Sequence, residues 1–143
     1  MGRWKTILVG VDGSPGSRKA LTWAAAEAAD HQADLVVLSV WEPTLLPPMG
    51  SGAVPQSGLP DPGEPAAENL LTVIRAELGE DPPVVVHPRV KQGNAAELLI
   101  EESTGADLLV VGTRGRGGFA GLMLGSVSQH VTAYGKCPVT VVR

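Results

Sequence analysis

A glycine-rich stretch near the carboxyl end of the chain has the composition of an anion-binding loop. It runs from Gly112 to Ser126, reads GTRGRGGFAGLMLGS, and follows the apolar segment DLLVVG. Glycines let a backbone approach an anion closely and turn consecutive N–H groups toward it. A helix that begins after such a loop adds the positive end of its dipole, and the Ser126 hydroxyl is a further donor. The stretch therefore predicts a phosphate site at a strand-to-helix junction.

Two common phosphate-binding motifs do not describe this loop. The single Gly-Lys pair, Gly135-Lys136, is followed by Cys137 and lacks the upstream glycine of a P-loop. Residues 115–120 match the spacing of a dinucleotide fingerprint, but they follow the fourth predicted strand, and no acidic residue lies downstream to bind a ribose. ATP binding by the P-loop route is excluded, and a nicotinamide or flavin dinucleotide is disfavoured.

The histidines and the cysteine do not form a metal site or a nucleophilic triad. His31, His87 and His130 fall on three different predicted elements. Cys137 is the only cysteine, so no intramolecular disulfide forms, and no cysteine and histidine spacing gives a zinc site. We expect the histidines to be structural and the protein to reside in the reducing cytoplasm.

The charge of the chain is negative overall and unevenly distributed. The net charge is −4, but residues 1–107 carry −8 and residues 108–143 carry +4, because Asp107 is the last acidic residue. Nucleic-acid binding needs a broad basic face, which this composition does not supply. A small anion suits the basic carboxyl-terminal segment better.

Length and hydrophobic content predict one domain, residues 1–143. The chain has 143 residues, of which 43% are apolar, and this suffices for a single core without a disulfide or a structural metal. No apolar run approaches the length that crosses a bilayer, and the amino terminus has no signal-like core. We therefore expect no membrane association and no export.

Five apolar segments alternate with four helical patterns. Residues 6–11 and 34–41 are apolar at both alternations, which a strand needs only when both of its faces are covered. Residues 42–65 hold seven of the twelve prolines, and this predicts a long loop without regular structure. The predicted strands are 6–11, 34–41, 84–90, 107–112 and 139–142, and the predicted helices follow Ser14 to about Asp30, begin near Ala67, follow Asn94 to Thr104, and begin at Ser126.

This alternation predicts an α/β fold with an open five-stranded parallel sheet of order 3-2-1-4-5 and helices on both faces. Pro88 cannot donate to a ladder, so the third strand is expected at an edge. In such sheets ligands bind beyond the carboxyl ends of the strands where the winding reverses, here between strands one and four. Asp12 and Gly112 lie at those two ends. Without the family pattern, a turn or a helix cap explains Asp12 better than ligand contact does.

Four segments, taken in order, resemble the ATP-binding type of the universal stress protein family. The most specific is Gly112-x-x-Gly115, nine residues, then Gly125-Ser126. The opening ILVGVDGS at 7–14, the segment GNAAELLIEES at 93–103 and the closing CPVTVVR at 137–143 are also similar to the family pattern, as is the long loop after the second strand. The likeness extends over nearly the whole chain.

The resemblance implies a role for each matching residue. Asp12 would hold the nucleoside near its ribose, Val11 and Val40 would border the adenine, and Val111 and Gly112 would lie beside the ribose. The phosphates would be bound by backbone N–H groups of Gly115 and Gly125, with Ser126, Val127 and Ser128 completing the cradle. Magnesium or manganese would be carried on the phosphates. Family members commonly form dimers through the last strand, here Val139 to Arg143.

These expectations favour a nucleotide-dependent sensor or regulator of a stress response over a catalyst, acting on a protein partner that the sequence does not identify. Phosphoryl transfer requires a positioned base and metal ligands, and residues 108–143 contain no carboxylate. One alternative is a slow ATP hydrolase or phosphotransferase in which Arg114 or Arg116 stabilises the departing phosphate. Another is a binder of cyclic AMP or AMP, which would need fewer donors from the loop.

Overall fold

The computed structural model describes residues 3–42, 63–113 and 125–143. In these residues five strands alternate with four helices. The strands are β1 (Thr6–Gly10), β2 (Asp34–Trp41), β3 (Val86–Gln92), β4 (Leu108–Gly112) and β5 (Val139–Val142), and the helices are α1 (Pro15–His31), α2 (Gly63–Leu78), α3 (Ala95–Ser103) and α4 (Ser126–Tyr134).

The strands form one parallel sheet of order β3-β2-β1-β4-β5, which confirms the predicted fold class and strand order. β3 lies at an edge, as Pro88 predicted. Its bounds differ from the prediction, because it continues to Gln92 in register with Trp41 and leaves Val84 outside the strand. Hydrophobicity does not mark the end of an edge strand, since many of its side chains stay in water.

The core has two layers, one on each face of the sheet. On one face Ile7, Val9, Leu35 and Val37 pack with α1 and α2. On the other face the alternate residues pack with α3 and α4; they include Leu8, Val36, Leu38, Leu109 and Val111, which meet Leu99 and Val131. Coverage of both faces explains why consecutive residues are apolar in the middle of these strands, at 7–9 in β1, 35–38 in β2 and 108–111 in β4.

The helix boundaries follow local capping chemistry. Ser14 is the N-cap of α1 and accepts the Ser17 N–H, while Pro15 occupies the first turn, where its missing N–H costs nothing. Asn94 caps α3, whose predicted start it marked, by accepting the Glu97 N–H at 3.0 Å.

The start of α2 corrects the predicted loop over residues 42–65. Residues 63–65 belong to the first turn of the helix, and a proline is tolerated there. The remainder of that prediction, residues 43–62, lies outside the described residues.

Candidate functional site

The candidate site lies where β1 and β4, neighbours in the sheet, reach its carboxyl edge. β1 leads into α1 and toward β2, whereas β4 leads toward β5 through α4 on the opposite face. The winding therefore reverses between these two strands, and sheets of this kind bind ligands in the crevice outside such a point. Val9 is paired with Val110, and Val11 and Gly112 each lie two residues further along the chain.

The Asp12 carboxylate is held by the start of α1. Its Oδ1 accepts the Ser14 N–H at 2.9 Å and the Ser14 hydroxyl at 2.5 Å. Gly13 lies between them with φ 84°, a left-handed conformation that suits glycine. The cap of α1 is Ser14 and not Asp12, so the capping alternative for Asp12 is wrong in its simple form. Asp12 instead fixes the turn that precedes the cap.

The backbone of the same turn is held by Ser17. Its hydroxyl accepts the Asp12 N–H at 3.2 Å and donates to the Ser14 carbonyl at 3.1 Å. Ser17 is almost completely buried. This contact was not predicted. The one feature of the sequence that hints at it is the Ser-x-x-Ser spacing of residues 14 and 17, which places the second serine at the third helical position, where a side chain can reach back toward the start of the helix.

Thr113, directly after β4, is the junction between that strand and α4. Its carbonyl accepts the Gly125 N–H at 2.5 Å and the Ser128 hydroxyl at 3.0 Å. Its own N–H donates to the carbonyl of Val142 in β5 at 3.1 Å. Both ends of the glycine-rich loop are thereby tied together, and the amino end of α4 is fixed at the carboxyl edge of the sheet. This role of Thr113 was not predicted.

The amino end of α4 has the chemistry of an anion site. Gly125 is the N-cap and has no side chain that could accept the helix N–H groups, and the first turn, Ser126 to Ser128, carries no acidic residue. The N–H groups of a first turn have no partner within their own helix, and the dipole makes this end positive. These donors fit a phosphate group.

The structure places the other predicted site residues as follows. Val11 is buried on the α1 and α2 face, and its N–H donates to the Leu38 carbonyl at 3.0 Å, whereas Val40 is half-buried on the opposite face. Only the backbone of Val11 can therefore border a ligand on the Val40 side.

The residues around the end of β4 divide into buried and exposed positions. Val111 is buried against α3 and α4, Val127 packs partly against the same core, and Ser126 is exposed. Ser128 is buried, with its hydroxyl directed at Thr113 and Gly125. Gly115, Arg114 and Arg116 lie outside the described residues.

The described residues do not supply a ready metal centre. In residues 3–42, 63–113 and 125–143 no group of three or more histidine, cysteine or acidic side chains could hold a metal ion. A metal at this edge would thus need most of its ligands from a bound phosphate or water. Burial, and secondarily the Asp107 charge, raise the pKa of the Cys137 thiol, which disfavours the thiolate that a nucleophile needs.

The fold defines a doubly wound α/β protein, and its switch point is the candidate ligand site. The model of the universal stress protein family matches residues 3–143, and the chain belongs to this family. This agrees with the resemblance carried by the four sequence segments.

Individual relatives of this chain carry the same family name. A universal stress protein of Mycolicibacterium smegmatis is 42% identical over 96% of this chain, which covers 45% of that protein. One of Thermus aquaticus is 38% identical over 98% of this chain and 99% of its own length. The chain thus spans about half the length of several curated relatives and nearly all of another.

Solved structures of the family share the fold. A universal stress protein crystallised in complex with cAMP has a TM-score of 0.71 and 28% identity, and the match covers 99% of this chain and 98% of that one. Within the part of the chain that the structure describes, no helix is long and apolar enough to cross a membrane.

Proposed function

We propose that this chain binds an adenine nucleotide, ATP, at the carboxyl edge between β1 and β4, and that occupancy of the site regulates a partner protein in a stress response. The proposal depends on the position of the amino end of α4. Hydrogen bonds to Thr113 hold it beside the end of β4, and β4 is the neighbour of β1, the strand that Asp12 follows. A set of phosphate donors and a carboxylate, placed after neighbouring strands, match the phosphates and the ribose of a nucleotide.

In this proposal Asp12 accepts a ribose hydroxyl, and Val111 and Gly112 lie beside the sugar. The adenine lies between the backbone of Val11 and the side chain of Val40. The phosphates take N–H groups from Gly115 and from the first turn of α4, residues 126–128, whereas the Ser128 hydroxyl keeps its bonds to the loop base. The Gly125 N–H, which the resemblance assigned to the phosphates, donates to the Thr113 carbonyl instead. Magnesium or manganese would neutralise phosphate charge.

The adenine assignment draws on the relative crystallised with cAMP, which is 28% identical over nearly the whole chain. That observation also favours a second candidate function, in which this site takes cyclic AMP or AMP. The two differ in the number of phosphates, so they differ in how much of the glycine-rich loop takes part in binding.

Regulation is favoured over turnover because residues 108–143, from the start of β4 onward, contain no acidic side chain that could orient water or hold a metal. A slow hydrolase using Arg114 or Arg116 is the competing activity. The proposal expects no release of phosphate above the uncatalysed rate. Release that is lost in Arg114→Ala or Arg116→Ala with ATP binding intact would replace regulator with enzyme.

The proposal includes a single domain and a homodimer in the cytoplasm. The family match over residues 3–143 supports one domain. β5 is a short apolar strand at the edge of the sheet, and an open edge is a template for pairing with a second copy. A lone, half-buried cysteine suits a reducing compartment.

Titration calorimetry with ATP, GTP, AMP and cyclic AMP tests the binding assignment. We expect ATP to bind more tightly than GTP, and Asp12→Ala to weaken ATP binding by about 1 to 3 kcal/mol, the range for a polar partner left unpaired. Equal affinity for GTP would refute the adenine assignment. Tighter binding of cyclic AMP than of ATP would favour the second candidate. Mass spectrometry of nucleotide released from protein purified without added ligand gives an independent identification.

A further inference from the structure

Ser17 is a buried serine whose hydroxyl is hydrogen-bonded to the backbone of Asp12, the residue that is proposed to bind the ribose. Its Oγ accepts the Asp12 N–H at 3.2 Å and donates to the Ser14 carbonyl at 3.1 Å. Its exposed fraction is 5%. A buried hydroxyl with two backbone partners is fixed in one orientation, so it can fix its partners in turn.

These bonds of Ser17 are not those of an ordinary helix cap. A residue at the third helical position that completes a capping box accepts the N–H of the N-cap residue. Here the N-cap is Ser14, and its N–H goes to the Asp12 carboxylate instead. The Ser17 hydroxyl reaches past the cap to the N–H of Asp12, so it holds the strand-to-helix turn and not the helix end.

Asp12, Ser14 and Ser17 form a closed set of hydrogen bonds. The Asp12 N–H donates to Ser17, the Ser17 N–H donates to the Ser14 hydroxyl at 3.2 Å, and the Ser14 hydroxyl donates to the Asp12 carboxylate. The set fixes both the backbone and the side chain of Asp12. A binding group held in place before the ligand arrives loses less entropy on binding.

We propose that Ser17 is a positioning residue for the nucleotide site, one that acts through Asp12 without touching the ligand. This inference rests on the proposed function, since it assigns to Ser17 the task of presenting Asp12 to the ribose. Ser17 sets the affinity for nucleotides that use Asp12, and it does so in addition to its contribution to the stability of α1.

The test is ATP binding by Ser17→Ala, with Ser103→Ala as a matched control. Ser103 has the same pattern at a distant place: its hydroxyl donates to the Ile100 carbonyl three residues back, accepts the Lys136 N–H, and is completely buried. Both variants are expected to melt at a lower temperature. Only Ser17→Ala is expected to weaken ATP binding, by about tenfold, measured well below the melting temperature of both.

A double-mutant cycle shows whether the effect passes through Asp12. In an Asp12→Ala background, Ser17→Ala is expected to change ATP affinity by less than about twofold, because the group that it positions is gone. The same tenfold loss of ATP affinity in the Asp12→Ala background would overturn the inference, because Ser17 would then not act through Asp12. A tenfold loss in Ser103→Ala would also overturn it, because the effect would then reflect stability alone.

Failure of the inference is distinguishable from failure of the proposed function. If the wild-type protein binds neither ATP, AMP nor cyclic AMP, the proposed function is wrong and the inference is wrong with it. If the wild type binds ATP and Ser17→Ala binds equally well, only the inference is wrong. Should Ser17→Ala not fold, Ser17→Cys fills the same space with a weak acceptor, and the same comparison with Ser103→Cys decides.

Discussion

Gly112 at the end of β4 lies directly against Gly16 in the first turn of α1. A Cβ built on Gly112 would be 2.8 Å from both the carbonyl carbon and the carbonyl oxygen of Gly16. Real Cβ atoms do not approach backbone so closely, so the strand and the helix meet here only because residue 112 is glycine. The contact brings the end of β4 close to the turn that holds Asp12.

Gly112→Ala is therefore expected to lower the free energy of unfolding by about 1 to 3 kcal/mol, the cost of overpacking a rigid contact. Urea denaturation followed by circular dichroism measures it. The matched control is Gly105→Ala at the opposite edge of the sheet, where the added Cβ would meet only the Glu102 carbonyl oxygen at 3.9 Å. The control should stay within about 0.5 kcal/mol of wild type. Equal stability of the two variants would contradict this account.

The acid stability of the fold depends on Asp107. At the amino edge of the sheet its carboxylate accepts the N–H groups of Lys5 at 2.8 Å and Thr6 at 3.0 Å, and these bonds hold the pKa of Asp107 below its ordinary value of 3.8. A carboxyl whose pKa is lower in the folded state stabilises the fold above its unfolded pKa. That contribution is lost as the pH falls through the folded value.

Asp107→Asn removes the titrating group and keeps one oxygen that can accept. The variant is expected to lose less stability than wild type when the pH is lowered from 5 toward and below 3.8. Thermal melts across this range measure the difference. Parallel loss of stability in both proteins would show that Asp107 does not contribute to the acid transition. The side chain is exposed, so high salt should diminish the difference.

The sequence predicted the strand order because few features determine it. Runs of consecutive apolar residues in β1, β2 and β4 required cover on both faces of the sheet, and Pro88 required an edge position for β3. The predicted bounds of β3 were wrong because they were taken from the apolar composition of β3 alone, which placed its start at Val84. The observed strand ends at Gln92, because pairing with β2 continues as far as Trp41.

The candidate site was predictable only in part. Asp12 and Gly112 could be placed at the crevice, because strand ends and the switch point follow from topology. The contacts of Thr113 and Ser17 could not, because each depends on the angle at which a helix leaves the sheet. Periodicity does not report that angle. The same residue types would have given an ordinary capping box had the turn at Gly13 been different.

The glycine-rich loop is predicted to bind phosphate through its backbone. Replacement of both Gly115 and Gly125 by valine should abolish ATP binding, because a branched side chain prevents the phosphate oxygens from reaching the N–H groups. The cooperative melt and the circular dichroism spectrum should persist, since the core strands do not use these residues. Gly105→Val serves as the control for a valine placed away from the crevice. Wild-type affinity in the double variant would refute a backbone phosphate site.

The open edge at β5 gives the final prediction, which concerns assembly. The carbonyls of Pro138 and Val142 point toward β4. They accept the N–H groups of Leu109 and of Thr113, the residue directly after β4. Successive residues of a strand point their backbone groups to opposite sides, so Val141 directs its N–H away from β4 and toward the open edge. A second copy that pairs with this edge would accept that N–H.

Val141→Pro deletes this donor without removing a bond to β4, and proline is tolerated on edge strands. We expect the wild-type protein to sediment as a dimer at micromolar concentration and Val141→Pro to sediment as a monomer with its fold retained. Val141→Ala is the matched control, because it trims the side chain that packs against the core and keeps the N–H. The control should remain dimeric. A monomeric wild type, or a Val141→Pro variant as dimeric as Val141→Ala, would rule out assembly through this edge.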